Sequence, residues 1–144
     1  MNILVINGPN LNLLGIREQD IYGLVTYDEL VKQIKMWADE LNLNVKIFQS
    51  NHEGEIIDEI HSAYNNFDGI IINAGGYSHT SIAIMDALKA INLPTVEVHI
   101  SDIYNREDFR KISYISLVAK KCIVGLGVIG YKEALKYFKD SEVL

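Results

Sequence analysis

A chain of 144 residues is long enough for one domain with a buried core and no stabilising staples, and no linker rich in Gly, Ser or Pro divides it, so residues 1–144 are expected to form a single domain. The 19 acidic and 13 basic residues give a net charge of -6, which leaves no basic stripe for a phosphate backbone and argues against nucleic acid or a membrane surface as partner. One cysteine, Cys122, admits no internal disulfide, and the opening "NILVI" is too short for a signal peptide, which together predict a cytoplasmic protein.

The first predicted element is a strand over Asn2 to Ile6. It runs into "NGPNLNLLGIREQDIYG", Asn7 to Gly23, a connection far longer than usual, and stretches of that length are commonly functional. Gly15 and Gly23 bracket the part carrying Arg17 and Tyr22, so the segment reads as a lid. Tyr27, Leu30, Val31, Ile34, Trp37, Ala38 and Leu41 then recur at helical spacing, with Thr26 and Glu29 as a capping box. A second strand is expected at Asn44 to Phe48, followed by helical periodicity in Ile56, Ile57, Ile60, Ala63, Tyr64 and Phe67. A third strand at Gly69 to Ile72 precedes a helix marked by Ile84, Ala87, Leu88 and Ile91. After a fourth strand at Thr95 to Val98, Glu107 to Ala119 reads as a weaker helix with an irregular turn. The last strand, Cys122 to Leu126, leads to a helix carrying Tyr131, Ala134, Leu135 and Phe138. Near-continuous apolar strands imply burial on both faces of a parallel sheet. Strand-then-helix units with right-handed crossovers give an α/β doubly wound fold, and five strands favour the flavodoxin-like order 2-1-3-4-5.

Ligands of such sheets bind outside the carboxyl ends of the strands. The residues just past the strands are Asn7 and Asn10, then Gln49 to His52, then Asn73 to Gly76, then His99 to Ser101. Any one of these is most simply a turn or capping residue, but all would project into one crevice. Glu97 and His99 in "TVEVHIS" point to the same side of a strand, where a buried carboxylate can orient the ring and favour its protonated form, as a general acid requires. The alternative is a satisfied core pair. His79 in "GYSHTS" lies near a helix start, and His61 reads as structural. Arg106 and Arg110, four apart, could meet an anionic ligand or solvate a helix face. The Cys and His residues lack metal-ligand spacing. "NAGGY" lacks both the dinucleotide fingerprint and the P-loop lysine. A non-catalytic module for a small carboxylate, a flavin carrier and a structural unit remain alternatives on these grounds.

The segments "NGPNLNLLGIRE", "YG", "FQSNHEGEIID", "INAGGYSHTSIAIMDAL" and "EVHISDIYNREDFRKIS" together closely resemble type II 3-dehydroquinate dehydratase, over nearly the whole chain and in order. The resemblance implies a flavodoxin-like enzyme of the shikimate pathway, assembled as a dodecamer of trimers and using neither metal nor organic cofactor. It implies that Tyr22 is the base that takes a proton from C2 of 3-dehydroquinate, with Arg17 beside it. His99, oriented by Glu97, would protonate the leaving C1 hydroxyl, and Asn10 and Asn73 would place the substrate and a water. Ile100 and Ser101 would hold the substrate carboxylate, Arg110 and His79 the ring hydroxyls, and Asp86 would reach a neighbouring subunit's site. The chain departs from the family pattern at Gly76, Gln19, Met85, Asp102, and Lys121 with Cys122, none of which is assigned chemistry.

Overall fold

Ile3, Leu4, Val5 and Ile6 are fully buried, because β1 (Asn2–Asn7) lies inside a sheet covered by helices on both faces. The computed structural model describes residues 1–141, so the last three positions of the expected domain lie outside the described residues. The other strands are β2 (Asn44–Gln49), β3 (Gly69–Asn73), β4 (Thr95–His99) and β5 (Lys121–Val124). All pair in parallel in the order β2-β1-β3-β4-β5, as the sequence predicts.

Side chains alternate across the sheet and feed two cores. Ile3, Val5, Ile71, Val96 and Val98 pack against α2 (Tyr27–Glu40) and α5 (Ile129–Ser141), through Leu30, Ile34, Trp37, Tyr131, Leu135 and Phe138. Leu4, Ile6, Ile70 and Ile72 face the other way, against Ile56 and Ile60 of α3 (Glu53–Ser62) and Ile84 and Leu88 of α4 (Ile82–Ile91). The capping box forms: Thr26 Oγ1 accepts from the Glu29 amide at 3.2 Å, and Glu29 returns the bond at 3.1 Å.

Several boundaries differ from those expected. The helix after β2 stops at Ser62 instead of running to Phe67, because Asn65 takes a left-handed conformation and the Asn66 side chain caps the Ser62 carbonyl at 2.8 Å. β5 ends at Val124, where Gly125 turns the chain at φ +80°. The expected helix over Glu107 to Ala119 is replaced by short 3₁₀ turns at Asp108–Arg110 and Ile115–Leu117. Its apolar residues do not share a helical stripe, since Ile115 is buried while Phe109 and Ile112 are exposed. The connection after β1 is not free of helix either. It holds a 3₁₀ turn at Leu11–Leu13 and a one-turn helix, α1 (Gln19–Tyr22), with Leu11 and Leu14 anchored in the core and Ile16 and Leu24 exposed.

Candidate active site

The β1 and β3 ends are drawn together by a close backbone approach. The Gly8 amide donates to the Asn73 carbonyl at 2.7 Å, and a Cβ on Gly8 would lie 2.4 Å from the Ala74 oxygen, so only glycine fits there. Asn10 follows in a left-handed conformation at φ 69°, with its amide bonded to Asn51 Oδ1 at 3.0 Å. Behind them, Asn7 and Asn73 are register partners on adjacent strands. The Tyr131 hydroxyl bridges them, donating to Asn7 Oδ1 at 2.6 Å and accepting from Asn73 Nδ2 at 3.0 Å. Asn73 Oδ1 accepts from the Gly75 amide at 3.2 Å, so both ends of its amide are assigned. Burial pushes the Tyr131 hydroxyl far above its ordinary range, so it serves as a neutral bridge.

At the end of β4, Glu97 and His99 form a buried pair. His99 Nε2 lies 2.7 Å from Glu97 Oε2. The hydroxyls of Ser113 and Ser116 also donate to this carboxylate, and the Cys122 thiol approaches it at 3.3 Å. Burial pushes the Glu97 carboxyl up, but the bond from His99, the His99 charge and the two serine hydroxyls outweigh it, and the carboxyl lies below its ordinary value. The Cys122 thiol, buried next to that negative charge, is pushed up to about 12. His79 stacks near His99, ring centroids 6.0 Å apart, and its Nδ1 is 2.7 Å from the Ile112 carbonyl. That bond requires Nδ1–H and leaves Nε2 as an acceptor. Burial pulls the His79 imidazole below its ordinary value despite that bond.

Facing these groups, α1 presents the Tyr22 hydroxyl to two guanidinium groups. Arg106 Nη1 donates to it at 2.7 Å and Arg17 Nη2 stands 3.4 Å away, with the Arg17 guanidinium carbon 4.4 Å from the ring centre. Arg106 also donates to Ser101 Oγ at 3.2 Å, which ties the connection to the end of β4. Arg17 is further held by Glu18 at 2.7 Å.

Asn10, Arg17, Tyr22, Asn73, His79, His99, Ile100, Ser101 and Arg110 all line one cleft, and Glu97 stands behind His99. Asp86 does not. It is exposed on α4, away from this chain's own cleft. Arg110 reaches the cleft but its Nε is bound to Glu107 at 2.7 Å. Arg106, which sequence reasoning noted only as half of an arginine pair, is the one that contacts Tyr22 and Ser101. Sequence reasoning also missed Tyr131, Ser113 and Ser116, whose partners are distant in the chain. Among the described residues, Glu97, His99 and Cys122 are the group whose donor atoms lie close enough for a metal ion, within 4.8 Å of one another. Hydrogen bonds among them already account for that convergence.

An open parallel α/β sheet with a carboxylate-backed imidazole and a cation-flanked tyrosine at its carboxyl edge defines a site for acid–base chemistry. A family model described as dehydroquinase class II matches residues 1–139. A 3-dehydroquinate dehydratase from Caldicellulosiruptor saccharolyticus is 60% identical over 139 residues, 96% of each chain. One from Fusobacterium nucleatum is 55% identical over 140 residues, 95% of each. The crystal structure of a type II dehydroquinase from Butyrivibrio crossotus superposes with a TM-score of 0.94 at 51% identity, covering 95% of this chain and 96% of that one. The chain belongs to the class II dehydroquinase family, whose members are hydro-lyases.

Proposed function

We propose that this chain is a single catalytic domain that dehydrates 3-dehydroquinate to 3-dehydroshikimate in the shikimate pathway by an enolate-type trans elimination. The observation that carries this reading is the presence, in one cleft, of a tyrosine hydroxyl held by two arginines and a histidine backed by a carboxylate. The Tyr22 oxygen, with the Arg106 and Arg17 guanidinium groups as its counter-charges, takes the C2 proton and leaves an enolate. His99 Nε2 is committed to Glu97, so Nδ1 is the nitrogen that protonates the departing C1 hydroxyl. Asn73, its amide held by Tyr131 and Gly75, and Asn10 place the substrate and a water against the developing enolate. The substrate carboxylate sits at the Ile100 and Ser101 amides with the Ser101 hydroxyl, while Arg110 and the acceptor nitrogen of His79 hold ring hydroxyls.

No lysine lines the cleft among the described residues, which favours an enolate over a Schiff base. Neither metal nor organic cofactor has a part in the reading. Asp86 is assigned to a neighbouring subunit's site in trimers that build a dodecamer. That assignment is supported by the exposed Ile82, Phe109, Ile112 and Leu117 on α4 and the turns after β4. Light scattering should show the large oligomer, and a fully active monomer would remove the role of Asp86. The conjugated enone product absorbs in the ultraviolet, so mixing the protein with 3-dehydroquinate should raise absorbance. A protein that binds the compound without any rise would be a binding module instead.

A further inference from the structure

The segment from Ile112 to Ser116 is fastened to the site at several points. The Ile112 carbonyl accepts from His79, the Tyr114 amide donates to the Ser78 carbonyl at 2.9 Å, and Ile115 is fully buried. In this setting both serine hydroxyls are aimed at Glu97, Ser113 at Oε2 and Ser116 at Oε1. Glu97 is fully buried, and the oxygen that takes the Ser113 bond also takes the one from His99. The other titratable groups around it are Cys122 on β5 and, at longer range, His79 and Tyr104. None of these supplies a second cation in contact with the carboxylate.

We propose that Ser113 and Ser116 are positioning residues that keep the proton shared by Glu97 and His99 on the imidazole. The inference rests on the reading of His99 as the acid. A carboxylate and an imidazolium buried together can exchange that proton and become a neutral acid beside a neutral ring. With the proton on Glu97, the Nδ1–H facing the substrate belongs to a neutral imidazole, a far weaker acid. Two hydroxyl donors on the carboxylate oppose the transfer, because they stabilise the anion and would lose strength against a protonated carboxyl. No covalent step is added; the two serines decide where one proton resides.

The test compares Ser113→Ala/Ser116→Ala with the parent in the dehydration assay, in the presence and absence of His99→Ala. The expected result is a kcat at least tenfold lower with KM within about twofold. The limb of kcat that falls at high pH should move to higher pH, since the fully deprotonated pair has lost its support. Ser116→Thr, which keeps a hydroxyl, should retain most activity. In the His99→Ala background the same double substitution should change kcat by less than twofold. Equal losses with and without His99 would overturn the proposal, as would a parental kcat and unmoved limb in the double variant. Should the double variant fail to fold, the single Ser116→Ala must show the same limb shift at smaller size, and an unmoved limb there overturns the proposal too. Parental turnover by His99→Ala alone would instead remove the acid assignment itself, and the proposal with it.

Discussion

The Tyr22 hydroxyl and the Arg106 guanidinium, 84 residues apart in sequence, are joined by a 2.7 Å hydrogen bond. Arg17 stands farther from the same oxygen, at 3.4 Å. If that oxygen becomes a phenolate during turnover, Arg106 is its principal counter-charge. A hydrogen bond to a charged group contributes about 1.5–3 kcal/mol, so Arg106→Ala should lower kcat by roughly tenfold to a hundredfold. KM should rise as well, because the contact to Ser101 is lost. Arg106→Lys should restore only part of the rate, since an ammonium cannot serve both oxygens with a planar fork. Steady-state kinetics on the two variants would show a parental rate if Arg106 merely braces the loop.

His99 and Ser101 should separate kinetically. If His99 is the acid, as proposed, His99→Ala removes a proton donor needed in the transition state, and general acid groups contribute about 10²–10⁴ in rate, so kcat should fall with little change in KM. Ser101→Ala should mainly raise KM. Identical profiles for the two variants would contradict the division of roles.

Tyr131 offers a stability prediction. Tyr131→Phe would leave Asn7 Oδ1 and Asn73 Nδ2 without their buried partner, at a cost of about 1–3 kcal/mol. For a chain of this length that corresponds to a Tm lowered by roughly 3–10 °C. Tyr27→Phe should cost less, because its contact with Asn7 is long, at 3.5 Å. Calorimetry on both variants checks the order.

Much of this architecture is legible in local pattern. The α2 helix follows from its apolar spacing and capping box, and β1, β3 and β4 from apolar runs that only a doubly covered sheet can bury. The region after β4 was not legible for a physical reason. Residues spaced as Arg106 and Arg110 are would share one face of a helix, but short turns separate them, sending Arg106 to Tyr22 and leaving Arg110 on Glu107. Ser113 and Ser116 carry no local signal either, because their meaning lies in a carboxylate on another strand. The one-turn α1 was missed since four residues cannot show periodicity and a helix so short is marginal without tertiary contacts. The Glu97 and His99 pairing, by contrast, follows from strand alternation and was readable directly.

The raised Cys122 thiol should be slow toward thiol reagents. At pH 8 a thiol near the ordinary 9 is about one-tenth ionised, whereas at about 12 the fraction is roughly 10⁻⁴, so alkylation of the native protein should be about a thousandfold slower than of the unfolded chain. The folded value lies above the unfolded one, so this thiol's contribution to stability is present below pH 9 and declines as pH rises toward 12. Labelling with iodoacetamide before and after unfolding measures the ratio. Equal rates would show that the thiol is not held as described.

The most direct test of the proposed mechanism follows hydrogen exchange at C2 of 3-dehydroquinate in deuterated water by proton NMR. It separates the base step, assigned to Tyr22, from the acid step, assigned to His99. The account predicts that His99→Ala exchanges C2 hydrogen for deuterium while producing almost no enone, and that Tyr22→Phe binds the substrate but neither exchanges nor dehydrates it. A Tyr22→Phe protein that still exchanged C2 hydrogen at the parental rate would place the base elsewhere and contradict the account.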